Sequence, residues 1–180
     1  MWDILLKRYW QVSTFRESPA NTPYSIPLLV IVALLFFLLM VWQWFMVDIK
    51  GQFKLATSVA TGISLIGTYF IFTFLILKMN RKANRVVKTL TSLLASHLIV
   101  HLFAIPLLLV TPILASANVT NTAALLLAII YLLLTLVLTA WQFLVTAHIY
   151  KHALETDTLT SVLASFGLLA CNVLIVSFWR

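Results

Sequence analysis

Long runs of apolar residues alternate with short polar segments along most of the chain. Five runs reach the roughly 20 residues that a helix needs to cross the hydrocarbon core, where every backbone N–H and C=O must be bonded within the segment. They predict helices at Ile26–Val47, Leu55–Leu77, Leu90–Pro112, Ala123–Tyr150 and Leu159–Trp179. The predicted fold class is therefore all-α, a polytopic membrane bundle whose five-helix transmembrane domain is assigned to residues 28–180.

The segment before the first apolar run has a different pattern. In residues 1–16, apolar side chains recur with a period of 3.6 residues and polar side chains occupy the opposite face. The apolar face consists of Trp2, Leu5, Leu6, Tyr9, Trp10 and Val12. This predicts a short amphipathic helix that either lies on the membrane surface or docks on the protein's own loops. Three prolines in residues 17–27 predict an extended linker.

Composition agrees with a membrane protein and narrows the classes of function. Hydrophobic residues make up 62% of the chain and charged residues only 9%, against about a quarter charged in soluble domains. The nucleophile-elbow, zincin and P-loop signatures are missing, so we predict no enzymatic activity, no catalytic residues and no resident cofactor. All carboxylates fall outside the apolar runs, which disfavours ion-coupled transport. These are Asp3, Glu17, Asp48, Glu155 and Asp157.

The distribution of Lys and Arg predicts the orientation. Nine lie on the side of the N-terminus, against three on the other side, which are Lys50, Lys54 and Arg180. Because cytoplasmic loops retain Lys and Arg, this predicts a cytoplasmic N-terminus and a C-terminus on the outer side of the membrane. The net charge of +7 favours anionic lipids as partners and not nucleic acid, for which no aromatic-interleaved basic patch is present. The candidate contacts for a lipid headgroup or a partner are Lys7, Arg8, Arg81, Lys82 and Arg85.

Small and weakly polar residues form stripes on three of the predicted helices. Thr57, Thr61, Ser64 and Thr68 share a face of the second helix, and Ser161, Ala164, Ser165 and Asn172 share a face of the fifth. Such faces let helices approach closely in lipid, so we predict packing within the chain. The stripe Thr135, Thr139, Gln142 and Thr146 on the fourth helix either lines a solvated path or packs. We favour packing, with another membrane protein or a second copy as partner.

All four histidines occur as two i, i+4 pairs, His97 with His101 and His148 with His152. Each pair lies on one helical face, and imidazole is a common ligand of metals and haem. A rise of ~1.5 Å per residue, however, separates the pairs by about 13 Å in depth. We therefore predict that no four-histidine metal site forms and that each pair is hydrogen-bonded in its own surroundings. A metal-binding or haem-binding protein remains the alternative function.

Two stretches suggest a family. The first is Phe15-Arg16 followed by Pro19 and Pro23-Tyr24-Ser25, and the second is Trp141 followed by His148-Ile149-Tyr150-Lys151-His152-Ala153-Leu154. With the five-helix count, they resemble small bacterial inner-membrane proteins placed with the Yip (Ypt-interacting) family. The resemblance implies an integral membrane scaffold, adaptor or accessory subunit whose functional surface combines residues 15–25 with the loop 150–157. Binding of Rab GTPases does not carry over, because the long cytosolic N-terminal region of the eukaryotic members is missing.

Overall fold

The computed structural model describes residues 2–47, 55–116 and 122–179, and within these ranges the regular structure is helical throughout. The helices are α1 (Trp2–Ser13), α2 (Ile26–Val47), α3 (Leu55–Met79), α4 (Val86–Ser116), α5 (Thr122–Leu154) and α6 (Thr158–Trp179). Helices α2 to α6 are each long and apolar enough to cross a membrane. The prediction of an all-α bundle with five membrane-spanning helices is confirmed. The predicted positions Lys50, Lys54 and Arg180 lie outside the described residues.

The five spanning helices form a closed ring. Helix α4 packs against α2 and α5, α5 against α6, α6 against α3, and α3 against α2. Each helix contributes fully or almost fully buried apolar side chains to one core, among them Phe36, Leu65, Leu94, Val145 and Leu168. Residues distant in the sequence are thereby brought together in the middle of the ring.

Small residues allow the helices of the ring to approach. A Cβ atom added to Gly62 would lie 2.8 Å from the ring of Phe37 on α2, and one added to Gly167 would lie 2.8 Å from the ring of Phe72 on α3. Thr61 on α3 and Ser161 on α6 are buried. The small-residue faces of α3 and α6 therefore serve packing within the chain, as predicted.

One side of helix α1 packs on the bundle, and the other side is exposed. It packs on α4 and α5, with Tyr9 and Val12 buried and the indole of Trp10 against Phe103 and Trp141. Leu6 remains 65% exposed. The apolar face predicted from the sequence is thus divided between the bundle and the surroundings.

The helix ends three residues earlier than predicted, because Phe15 adopts a left-handed conformation with φ of 62°. The Phe15 and Arg16 amides then donate to the carbonyls of Val12 and Gln11, the two bonds of a Schellman motif. The prediction of a wholly extended linker at residues 17–27 is also wrong. Pro19–Asn21 forms a 3₁₀ turn, which the Ser18 side chain caps by accepting from the Ala20 amide. This turn packs on α4 and α5.

Both described turns between spanning helices lie at one end of the ring, which we call the basic end, where residues 78–88 and 151–157 meet. Two left-handed residues, Arg81 and Glu155, terminate α3 and α5 there. The Glu155 carboxylate forms ion pairs with Lys82 and Arg85. This contact holds the two turns side by side.

Helices α4 and α5 are longer than their neighbours. They contain 31 and 33 residues, whereas α2 and α6 contain 22 each. At ~1.5 Å per residue, α5 exceeds α6 by about 16 Å. Because α5 and α6 meet at the basic end, the excess lies at the opposite end. We call this excess, together with the adjoining turns of each helix, the apolar arm, which comprises residues 102–114 of α4 and 122–140 of α5.

Candidate functional site

The five spanning helices line a cavity of about 360 Å³ that is open on one side, which we call the vestibule. Its lining reaches Trp44 and Ser177, which lie within one helical turn of the ends of α2 and α6. Among the described lining residues none is Asp, Glu, Lys or Arg. They are Phe36, Met40, Trp44, Leu65, Tyr69, His101, Gln142, Leu169, Asn172, Val173, Val176 and Ser177. The vestibule therefore has apolar and aromatic walls with a few neutral polar groups.

A second, smaller cavity of about 40 Å³ lies behind the vestibule. Gln142, Leu169 and Asn172 line both cavities, whereas His97 and Thr146 line only the smaller one. The wall between the two spaces therefore contains a polar cluster from four helices. Its members are Tyr69 of α3, His97 of α4, Gln142 and Thr146 of α5, and Asn172 of α6.

The hydrogen bonds of His97 have a defined direction. The Thr146 hydroxyl donates to the Gln142 backbone carbonyl at 2.8 Å, so its oxygen accepts from His97 Nε2 at 2.8 Å. Because an imidazolium this deeply buried and bonded only to neutral groups would be unfavourable, Nδ1 carries no proton and accepts the Tyr69 hydroxyl at 2.5 Å. His97 is therefore a neutral imidazole with both nitrogens bonded, deep within the bundle.

Asn172 continues this series of hydrogen bonds and has one polar atom without a partner among the described residues. Since the Tyr69 hydroxyl proton is given to His97, the Tyr69 oxygen accepts from Asn172 Nδ2 at 3.3 Å. The amide orientation is thereby fixed, with Oδ1 on the other side. Asn172 Oδ1 is buried and has no hydrogen-bond partner among the described residues. Such an acceptor costs about 1–3 kcal/mol when left unpaired.

His101 bonds to α2 and also retains an acceptor. Gln43 Nε2 donates to the His101 backbone carbonyl at 2.9 Å, so Gln43 Oε1 can only accept, and it lies 3.0 Å from His101 Nδ1. The proton of His101 therefore resides on Nδ1, and Nε2 is a lone-pair acceptor. The ring of His101 is thus hydrogen-bonded to Gln43 of the neighbouring helix α2.

The second histidine pair lies apart, at the basic end. His148 Nε2 is 3.2 Å from the Glu17 carbonyl, and His152 Nδ1 is 3.0 Å from the His148 carbonyl. The ring of Phe15 packs edge-on against His148. Within the described ranges, no three His, Cys, Asp or Glu side chains come together to hold a metal ion.

The polar stripe of α5 is divided. Thr135 and Thr139 are exposed, and each donates to the carbonyl four residues earlier in its own helix. Gln142 and Thr146, in contrast, face the polar cluster around His97. Thr139 nevertheless lines the smaller cavity, so within the stripe only Thr135 does not contribute to the site.

The predicted headgroup contacts do not form one open patch. Arg8 donates to the Asn21 carbonyl at 2.8 Å, while Lys82 and Arg85 are paired with Glu155. Donation from these two cations holds the pKa of Glu155 below its usual range. Lys7 and Arg81 are exposed. Three of the five predicted cations are therefore bonded to other segments of the protein itself.

The two segments singled out by the family resemblance are in contact. Pro19 and Ala20 of the linker line a cavity of about 340 Å³ together with His152 and Ala153 of α5 and the first turn of α4. Lys88 donates to the Ala20 carbonyl at 3.1 Å. The surface implied by the resemblance is thus continuous at the basic end.

Sequence reasoning identified His97, His101 and Asn172 but missed Tyr69 and Gln43. Gln43 does give a signal, as the only amide in an otherwise apolar span of 22 residues. Tyr69 gives none, because aromatic residues are common in membrane helices. Comparison with protein-family models, curated proteins and solved structures finds no match.

Proposed function

We propose that this chain is an accessory subunit or scaffold of the membrane, without catalytic activity, which packs against another integral membrane protein through its apolar arm. The observation that carries the proposal is the excess length of α4 and α5 beyond α2 and α6. Leu109, Leu132, Leu136 and Val137 on this arm are each more than 60% exposed. No other described helix covers them.

Lipid gives little hydrophobic drive for helix association, so bundles form through close packing of side chains. An apolar segment that is too long for the surrounding bilayer is accommodated by tilting, by kinking or by association with other helices. The feature of the arm that favours association is therefore its length. The adaptor role implied by the Yip resemblance is of the same kind, and the proposed membrane is the bacterial inner membrane.

Site-specific photo-crosslinking in native membranes tests the proposal. A benzoylphenylalanine residue at Leu133, which is 54% exposed on the arm, should give one discrete adduct whose partner mass spectrometry identifies as an integral membrane protein. The same residue at Ile71, which is 63% exposed on α3, is the control and should give none. A dimer-sized adduct alone would replace the accessory role by self-association. Absence of any adduct at Leu133 would contradict coverage of the arm.

A further inference from the structure

The vestibule, separately from the apolar arm, has the features of a small-molecule site. Binding sites for small molecules are concave, mostly apolar, and about 300–1,000 Å³ in volume, with a few polar groups that fix orientation. The vestibule is about 360 Å³. Helices α2 to α6 all contribute to its lining, so the space belongs to the folded bundle and not to a single loop.

The polar groups at the vestibule specify what the occupant must offer. The directed hydrogen bonds leave two acceptors over, His101 Nε2 and Asn172 Oδ1, and neither has a donor among the described residues. The matching group on a ligand is therefore a hydroxyl or another donor. Because none of the described lining residues is charged, a charged ligand would lose its hydration without gaining a counter-ion.

The walls favour an aromatic ring. Phe36 lies edge-on to both Tyr69 and His101, with ring centroids 5.7 and 5.8 Å apart, and it lines the vestibule with them. Aromatic rings prefer such edge-to-face and offset arrangements with one another. Met40 and Val176 complete an apolar surface suited to a hydrocarbon tail.

We propose that the vestibule binds a neutral amphipathic molecule whose head is an aromatic hydroxyl, as in a phenol or a quinol, and whose tail is apolar. The hydroxyl donates to His101 Nε2 or to Asn172 Oδ1, with a small shift of the Asn172 amide. This inference does not rest on the apolar arm, and its test does not involve a protein partner.

The experiment uses the purified full chain with 4-nonylphenol and its methyl ether, 4-nonylanisole, as probes. The two have the same ring and tail, but the ether can only accept a hydrogen bond. Native mass spectrometry should show a single bound phenol, with the ether about ten-fold weaker or more, the equivalent of one hydrogen bond. Equal binding of the two probes would overturn the proposal.

Two variants locate the site. Val176→Phe fills the vestibule and should abolish phenol binding, whereas Leu174→Phe, at a 69% exposed position of the same helix, should retain it. Gln43→Leu, His101→Phe and Asn172→Leu in combination remove the α2 to α4 pair and both candidate acceptors, and should remove most of the preference for phenol over ether. Undiminished binding in a folded Val176→Phe protein would also overturn the proposal. If that variant does not fold, the comparison of probes on the wild-type chain still decides.

Discussion

Tyr69 is the residue on which the buried hydrogen bonds converge. Its side chain is 1% exposed, and its hydroxyl both donates to His97 and accepts from Asn172. The two bonds couple α3 to α4 and to α6, helices whose apolar contacts alone carry little directional information. Hydrogen bonds that join three helices in this way fix which faces of the helices meet.

Removing the Tyr69 hydroxyl should therefore weaken the bundle. Tyr69→Phe leaves His97 Nδ1 with only the longer Gln142 contact and Asn172 Nδ2 without its acceptor, so we expect a loss of about 1–3 kcal/mol. Unfolding of the purified protein in mixed micelles measures it. Tyr131→Phe, which removes a bond to Thr111 on the apolar arm, is the matched control and should cost less. An equal loss in both variants would contradict the central role of Tyr69.

At the basic end, Glu155 gives a pH-dependent contribution. Hydrogen bonds from Lys82 and then Arg85 lower the pKa of its carboxyl group below the ordinary value of 4.5. A lowered pKa in the folded state means that the stabilisation is present above 4.5 and is lost as the pH falls through the folded pKa. At pH 7 the wild-type protein should unfold at a higher temperature than Glu155→Gln. The difference between the two unfolding temperatures should shrink below pH 4.5. A difference that stays constant down to pH 3 would refute the ion-pair explanation.

The sequence identified the histidines of the site but not their partners, for a physical reason. The i, i+4 spacing of His97 and His101 places both rings on one face whatever the tertiary structure. Their partners, however, depend on which helices are neighbours, and α4 meets α2 on one side and α5 on the other. No periodicity within a single helix encodes that adjacency, so Gln43 and Thr146 could not be assigned to particular histidines.

At the scale of helices, the close approach of α2 and α3 depends on Gly62. A methyl group at Gly62 would meet Phe37 at 2.8 Å and Val41 at 3.2 Å, whereas one at Gly67, also on α3, would meet nothing within 4 Å. We expect Gly62→Ala to destabilise the protein by about 1–3 kcal/mol through overpacking. Gly67→Ala should be neutral or slightly stabilising, because alanine is the better helix former. Unfolding midpoints of the two variants, measured side by side, distinguish the outcomes, and equal midpoints would contradict the packing argument.

The spans were predictable because the bilayer fixes their length and apolar character. The beginning of α2 and of α3 agree with the sequence pattern to the residue. Helix α4 begins four residues earlier than predicted, at Val86, since Lys88 and Thr89 lie outside the apolar run although they are helical. The ends of α1, α3 and α5 depend on left-handed residues, Phe15, Arg81 and Glu155, none of which is the usual glycine. The hydrophobic pattern of the sequence does not predict where a helix with such a residue ends.

At the scale of the whole molecule, charge and apolar length are segregated. Every charged residue in the described ranges lies in residues 3–17 or at the basic end, and none lies in residues 26–47, 89–116 or 122–150. The apolar arm points away from this end. In the described part of the chain, charge is therefore concentrated toward one end of the bundle, the asymmetry that the positive-inside rule uses to predict orientation.

We expect the basic end to lie in the cytoplasm, since translocation of clustered Lys and Arg is disfavoured. Reporter fusions after Asn80 and Glu155 should give cytoplasmic signals, and fusions after Gln52, Asn118 and Arg180 should give periplasmic signals. Asn80 and Glu155 flank the ion-paired turns, so both test the same end of the ring. Matched fusions in a variant with Arg81, Lys82 and Arg85 replaced by Gln should show mixed orientation, because three of the nine orienting charges are removed. Periplasmic signals at Asn80 together with cytoplasmic signals at Asn118 would reverse the topology, and the basic end would then face the periplasm.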